Sequence, residues 1–135
     1  MATITTRLEI WLKDDIERFW KADGEGPASD LRRVAEEWWA MSHLPSIAFR
    51  DGVSVRRAVL RSGPEVWEVA MVARAYGGDR NRLSEHFGGS LSPDDLDQAL
   101  AYAERFPAEI DAMIAGNERV GQMCGNSRRA MPRSA

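Results

Sequence analysis

With 135 residues, 44% of them apolar, and five tryptophans, the chain can bury one sizeable core and does not have the composition of a disordered polymer. The single Cys124 excludes an internal disulfide, and no basic-then-apolar N-terminal run marks a secretory signal, so a cytoplasmic address is expected. The net charge of −3 excludes wholesale attraction to nucleic acid and confines any DNA contact to a local patch; only residues 118–135, with 4 basic and 1 acidic side chains, are basic overall.

In residues 6–13, Leu8, Ile10 and Leu12 alternate with Arg7, Glu9, Trp11 and Lys13, the period of a strand with one buried face. A helical stripe of Leu8, Trp11, Leu12, Ile16, Phe19 and Trp20 competes with that reading. Asp14 and Glu17 fit a capping box, which starts a helix at Asp14 and leaves residues 6–13 free to be a strand. This helix runs to about Lys21, where Asp23-Gly24-Glu25-Gly26-Pro27 breaks it. A second helix begins near Pro27 and ends near Ser42, with Leu31, Val34, Ala35 and Trp38 at helical spacing.

Arg7-Leu8-Glu9-Ile10-Trp11-Leu12, followed by Gly26-Pro27-Ala28-Ser29-Asp30-Leu31-Arg32, resembles the ribbon–helix–helix family over residues 3–42. That resemblance implies a ribbon of paired strands from two chains, with Arg7, Glu9 and Trp11 directed at the DNA major groove. It also implies a phosphate clamp at Ala28 and Ser29, and Lys13 ends the strand as a further basic contact. The alternative for residues 1–43 is a helical dimerisation arm without a DNA role, with Trp11, Trp38 and Trp39 buried at its interface.

Residues 44–117 read as a mainly helical domain. Ile47, Phe49, Val53 and Val55 alternate around Arg50-Asp51-Gly52, and a three-residue hairpin loop pairing Phe49 with Val53 and Ile47 with Val55 keeps the apolar face whole. Residues 62–78 predict a buried central helix, with Pro64 at its first position and Gly77-Gly78 past its end. It is too short and too charged to span a membrane. Asp79 caps a short helix ending near Phe87 and Gly88-Gly89, and Ser92-Pro93-Asp94-Asp95 starts a longer one. Pro107 begins or kinks a final helix with Ile110, Met113 and Ile114 inward.

The short helix, the Gly-Gly turn and the capped longer helix form a helix–turn–helix behind a small hairpin. The motifs Ile47-Ala48-Phe49-Arg50-Asp51-Gly52, Arg56-Arg57-Ala58, Gly63-Pro64-Glu65-Val66-Trp67-Glu68-Val69, Ala99-Leu100-Ala101-Tyr102-Ala103 and Pro107-Ala108-Glu109-Ile110 resemble the family called domain of unknown function 433, known from VapB-type antitoxins. The resemblance implies a degenerate winged-helix-like module encoded beside a PIN-type ribonuclease toxin. The end of the longer helix that would meet base edges carries Asp94, Asp95 and Asp97, a poor match to phosphate. The basic candidates for DNA are instead Arg56 and Arg57 after the hairpin, and Arg80 and Arg82 on the short helix.

Residues 118–135 read as a flexible basic tail, rich in Gly and polar residues. The resemblance gives its Arg128, Arg129 and Arg133 a role, since guanidinium groups suit the carboxylate-lined active site of a PIN toxin. His43, His86 and Cys124 have no metal-ligand spacing, and no cofactor is expected. Glu36-Glu37 and Asp94-Asp95 are adjacent pairs that do not converge on one helix face, and no nucleophile has a base beside it, so no enzyme activity is expected.

The expectation is a mainly α chain: an arm over residues 1–43, a winged-helix or helix–turn–helix-like domain over 44–117, and a tail. Its expected role is that of an antitoxin which forms a homodimer, binds operator DNA to regulate transcription, and neutralises a PIN-type ribonuclease toxin, with no membrane contact. The alternative role is a protein-interaction module without DNA binding.

Overall fold

The computed structural model describes residues 2–19, 27–52 and 56–129, with side chains over 2–18, 31–52 and 56–125. It is mainly helical, with one small antiparallel hairpin. In chain order the elements are α1 (Ile10–Phe19), α2 (Pro27–His43), β1 (Ile47–Asp51), β2 (Arg56–Leu60), α3 (Val66–Ala75), α4 (Arg80–His86), α5 (Pro93–Arg105) and α6 (Pro107–Arg129).

Helix α3 is the centre. Its Val66, Val69, Ala70, Val72 and Ala73 are buried, and it packs against β2, α4, α5 and α6, as a helix apolar around most of its circumference requires. It starts two residues later than expected: Val66 is the first helical residue, Glu65 is the N-cap and Pro64 precedes it. The Glu68 carboxylate reaches back to accept from the Glu65 N–H at 2.9 Å, which satisfies an orphan donor at the helix start. At its other end Gly77 and Gly78 take φ of 61° and 82°. Gly78 N–H donates to Ala73 O at 2.9 Å and Gly77 N–H to Arg74 O at 3.1 Å, the paired bonds of a Schellman turn.

The local signals for α4 and α5 hold. Asp79 accepts from Asn81 N at 3.0 Å and Arg82 N at 3.2 Å. Ser92 Oγ accepts from Asp95 N at 3.0 Å while Asp95 Oδ2 accepts from Ser92 N at 3.2 Å, with Pro93 at the first helical position. Leu83 from α4, Leu96, Ala99 and Tyr102 from α5, and Ile110 and Ile114 from α6 complete the core with Ile47 and Leu60 of the hairpin.

Three expectations are corrected. Residues 6–13 contain no strand: residues 2–9 are irregular and Ile10 begins α1, so Asp14 lies inside a helix and does not cap one. The helical stripe wins because α2 packs against α1 and leaves Leu12 and Ile16 half-buried, a partner that the strand lacks within the chain. The hairpin register also differs. Ile47 pairs with Leu60, Phe49 with Ala58 and Asp51 with Arg56, so four residues separate the strands, and Val53 and Val55 lie outside the described residues. Ala58 and Leu60 keep the apolar face whole as well as the valines would, and they do so against the core. Lastly, α6 continues through Arg129, so the tail expected from residue 118 is helical as far as that residue.

Candidate functional site

The two arginines of β2 point to opposite faces of the hairpin, as adjacent strand residues must, and each meets a carboxylate from another element. On one face Arg56 grips Glu37 of α2 with Nε at 2.9 Å from Oε1 and Nη2 at 3.1 Å from Oε2, while its Nη1 is 3.0 Å from Asp51 Oδ1. Glu37 is 7% exposed, so this is a bidentate, largely desolvated pair. The hydrogen bond that Arg56 donates to Glu37 leads the forces that hold its guanidinium above its ordinary range. Arg33 Nη2 donates to Arg56 O at 3.2 Å and ties α2 to the strand a second time.

On the other face Arg57 Nη1 donates to both oxygens of Glu65, at 3.2 and 3.1 Å, and Arg50 Nη2 adds a bond at 3.3 Å. The indole N–H of Trp67 donates to the same carboxylate. Glu65 is 9% exposed. Burial opposes its charge, yet the donors Trp67, Arg57 and Arg50 outweigh it and hold the carboxyl below the usual glutamate range. The Nε of Arg57 is buried without a hydrogen bond.

Beside the Arg56 pair lies a cavity of about 10 Å³ lined by Arg33, Glu36, Glu37, Phe49, Tyr102 and Glu109 among others. The Tyr102 hydroxyl donates to Glu109 Oε2 at 2.8 Å. Burial pushes the Glu109 carboxyl up, against the Tyr102 bond that favours its charge, and burial also pushes the Tyr102 phenol far above its ordinary value. A phenol held protonated in a space the size of one water is a structural tie between α5 and α6, with neither the room nor the ionisation for nucleophilic chemistry. Glu36 and Glu37, expected to diverge, both line this cavity. Among the described residues, no group of three His, Cys, Asp or Glu side chains is arranged to hold a metal.

No protein-family model, curated protein or solved structure matches the chain. The functional reading therefore rests on where these residues lie.

Among the described residues, the expected DNA contacts are spread over separate elements: the stretch before α1, α1, β2 and α4. Arg80 pairs with Asp97 of α5, and Arg82 lies 3.9 Å from Asp79. Lys13 pairs with Glu17 at 2.9 Å along α1. Arg7 and Trp11 are exposed. Ser29 is in the first turn of α2, and Arg128 and Arg129 are in the last turn of α6, but their side chains and the whole of Arg133 lie outside the described residues. The outward face of α5 shows Asp94, Asp97, Ala101 and Glu104. His43 stacks on Trp39 with ring centroids 4.8 Å apart, and its Nδ1 lies 2.8 Å from Trp39 O, which only accepts, so Nδ1 carries the proton. His86 packs edge-on to Tyr76 and Phe87.

Sequence reasoning missed Glu37 and Glu65 as the partners of the arginine pair. The one signal for Glu65 was its place two residues before Trp67 and three before Glu68, where a helix cap and an indole donor converge. It also set Trp38 at helical spacing with Leu31, Val34 and Ala35, and beside Trp39 at an interface. Leu31 and Val34 are half-buried, but Trp38 is 65% exposed and Met41 follows it into solvent. Trp39 is the half-buried neighbour, edge-on to Phe106 and with the Arg105 guanidinium 5.0 Å from its ring. No described helix is long and apolar enough to cross a membrane.

Proposed function

We propose that this chain is an antitoxin-like protein-interaction module that holds a protein partner of the PIN-type ribonuclease class through its helical arm, and does not read DNA through α4 and α5. The observation that carries the reading is the pairing of Arg56 and Arg57 with Glu37 and Glu65. A phosphate could engage Arg56 only by displacing a carboxylate that is already bonded in a low-dielectric setting, and at Arg57 it would compete with Glu65 for Nη1. The motifs over residues 44–117 supply the partner's class by resemblance, with the hairpin and the α4–α5 pair read as a degenerate winged helix. The arm supplies the surface: Ile10 (78% exposed) and Trp11 on α1 and Trp38 on α2 are large apolar groups with solvent around them. Exposed tryptophans are the side chains most often found at the energetic centre of protein interfaces.

The test has two arms. Co-expression with the ribonuclease reading frame adjacent to its gene should give a co-purifying complex, and Trp11→Ala with Trp38→Ala should weaken it while leaving the fold intact. Gel shifts with the upstream DNA at several salt concentrations should show no specific complex. A salt-sensitive complex that weakens with Arg7→Ala and Lys13→Ala would overturn the reading in favour of an operator-binding arm.

A further inference from the structure

One face of the hairpin carries more positive charge than its own carboxylate neutralises. Arg50 and Arg57 are direct cross-strand partners, a placement that sets like charges against each other. They share a single acid, Glu65, so one positive charge is left in excess. Glu68, the next acid along the chain, turns its carboxylate to the Glu65 N–H instead. Donors are left over as well. Glu65 takes Nη1 of Arg57 and Nη2 of Arg50. The Nε of Arg57 is buried without an acceptor, and its Nη2 has none among the described residues.

Arg57 also stands in the wall of a groove of about 390 Å³, shared with Trp67 of α3 and with Met113, Gly116, Asn117 and Val120 of α6. That volume falls in the range of small-molecule sites, which join apolar walls to a few placed polar groups. Among the described residues no acid lines the groove, so Arg57 gives it a single sign of charge. From Met113 to Val120 the apolar wall runs about 10 Å along the helix axis, the reach of an extended chain of about eight carbons. Midway along it, a Cβ added at Gly116 would meet nothing within 4 Å. The groove is therefore open at the point where a larger residue would fill it.

We propose that this groove binds a monocarboxylate with a medium-length apolar chain, the head on Arg57 Nη2 and the chain along Met113, Gly116 and Val120 against Trp67. A single negative charge matches the excess of one on the Arg50–Arg57 pair. A phosphate dianion would leave a surplus charge against apolar walls, and an uncharged chain would leave Nη2 without an acceptor. The site uses no residue of the arm, so its fate and that of the partner-docking reading are separable.

Octanoate is the probe, titrated into the full chain and followed by calorimetry and by the indole N–H resonance of Trp67, identified with Trp67→Phe. Saturable one-to-one binding is expected. Octan-1-ol, the chain without the charge, and inorganic phosphate, the charge without the chain, should each bind roughly tenfold more weakly or worse. Gly116→Leu should abolish octanoate binding while the thermal midpoint holds or rises, because leucine outranks glycine in a helix and enters open space. Gly121→Leu, equally free of neighbours and outside the groove wall, should leave binding unchanged. Arg57→Gln should weaken octanoate by roughly tenfold and leave octanol unmoved. No saturable binding at millimolar octanoate, octanol or phosphate binding as tightly as octanoate, or undiminished binding by Gly116→Leu would each overturn the proposal.

Discussion

Replacing Glu65 with alanine isolates the chemistry that joins the hairpin to the central helix. Three donors lose their acceptor at once. The Arg57 pair is the largest loss, because its guanidinium is only 35% exposed; a hydrogen-bonded charge in that setting contributes about 1.5 kcal/mol net. The Trp67 indole adds about 1 kcal/mol as a donor left without a partner. The Arg50 side chain is 59% exposed, so its contact is worth about 0.3 kcal/mol, as for other solvated pairs. Together these predict a loss of about 3 kcal/mol, which for a urea slope near 1.5 kcal/mol per molar moves the unfolding midpoint down by about 2 M.

The assay is urea unfolding followed by tryptophan fluorescence and far-UV circular dichroism, with Glu65→Gln as the shape-conserving control. The pH dependence has a definite sign. Glu65 is depressed in the fold below its ordinary 4.5, so its contribution is present above that value and disappears as pH falls through the lower folded value. The gap between wild type and Glu65→Gln should therefore close as the solution is acidified below about 4.5. A loss under about 1 kcal/mol at neutral pH, or a gap that widens in acid, would show that the carboxylate behaves as a surface group and refute the reasoning.

Glu109 should behave with the opposite sign. Burial holds its carboxyl above the ordinary 4.5 despite the Tyr102 bond, so the stability linked to its proton is present below 4.5 and lost as pH rises through the raised folded value; Glu109→Gln should be stabilising at pH 7 and neutral near pH 4 in the same urea assay. Asp79→Ala removes the acceptor for two backbone donors of α4 and should lower stability by about 1 kcal/mol, seen as a shift in the thermal midpoint. Adjacent tryptophans should split: Trp38→Ala should stay within about 0.5 kcal/mol of wild type, while Trp39→Ala, which strips a ring from Phe106, His43 and Arg105, should lose about 3 kcal/mol.

What was legible in the sequence was what local chemistry decides. Asp79 and Ser92-Pro93 start helices because their side chains satisfy backbone donors two or three residues away, and Gly77-Gly78 ends one because only glycine takes those angles freely. The hairpin register was not local. Val53 and Val55 alternate as well as Ala58 and Leu60 do, and the choice falls to the core, where Leu60 is 1% exposed. Residues 6–13 satisfied two periods at once, and the packing of α1 on α2 decided between them. The extent of α6 was missed because its glycines argue against helix on propensity alone. The site was misread for a related reason: Arg56 and Arg57 stand out as a basic pair, but their acceptors lie 19 residues before and 8 after, beyond any spacing rule.

The pairing also explains why this hairpin carries adjacent arginines at all. A two-stranded sheet is not stable alone, and here each face is fastened to a different helix, one through Arg56 to Glu37 of α2 and the other through Arg57 to the cap of α3. The arm and the core are thus joined through one strand by charges that leave little cation exposed on that strand. What faces outward is then acidic along α5 and apolar at Trp11, Trp38 and Val120. A polyanion gains little from such a surface, whereas another protein can bury the apolar groups and meet the acids with its own cations. The same argument makes Glu37 the sharpest discriminator of mechanism: Glu37→Gln weakens the hold on Arg56 without changing shape. If DNA affinity were to emerge in that variant alone, the arginine would be shown able to bind phosphate and to be withheld from it by its own chain.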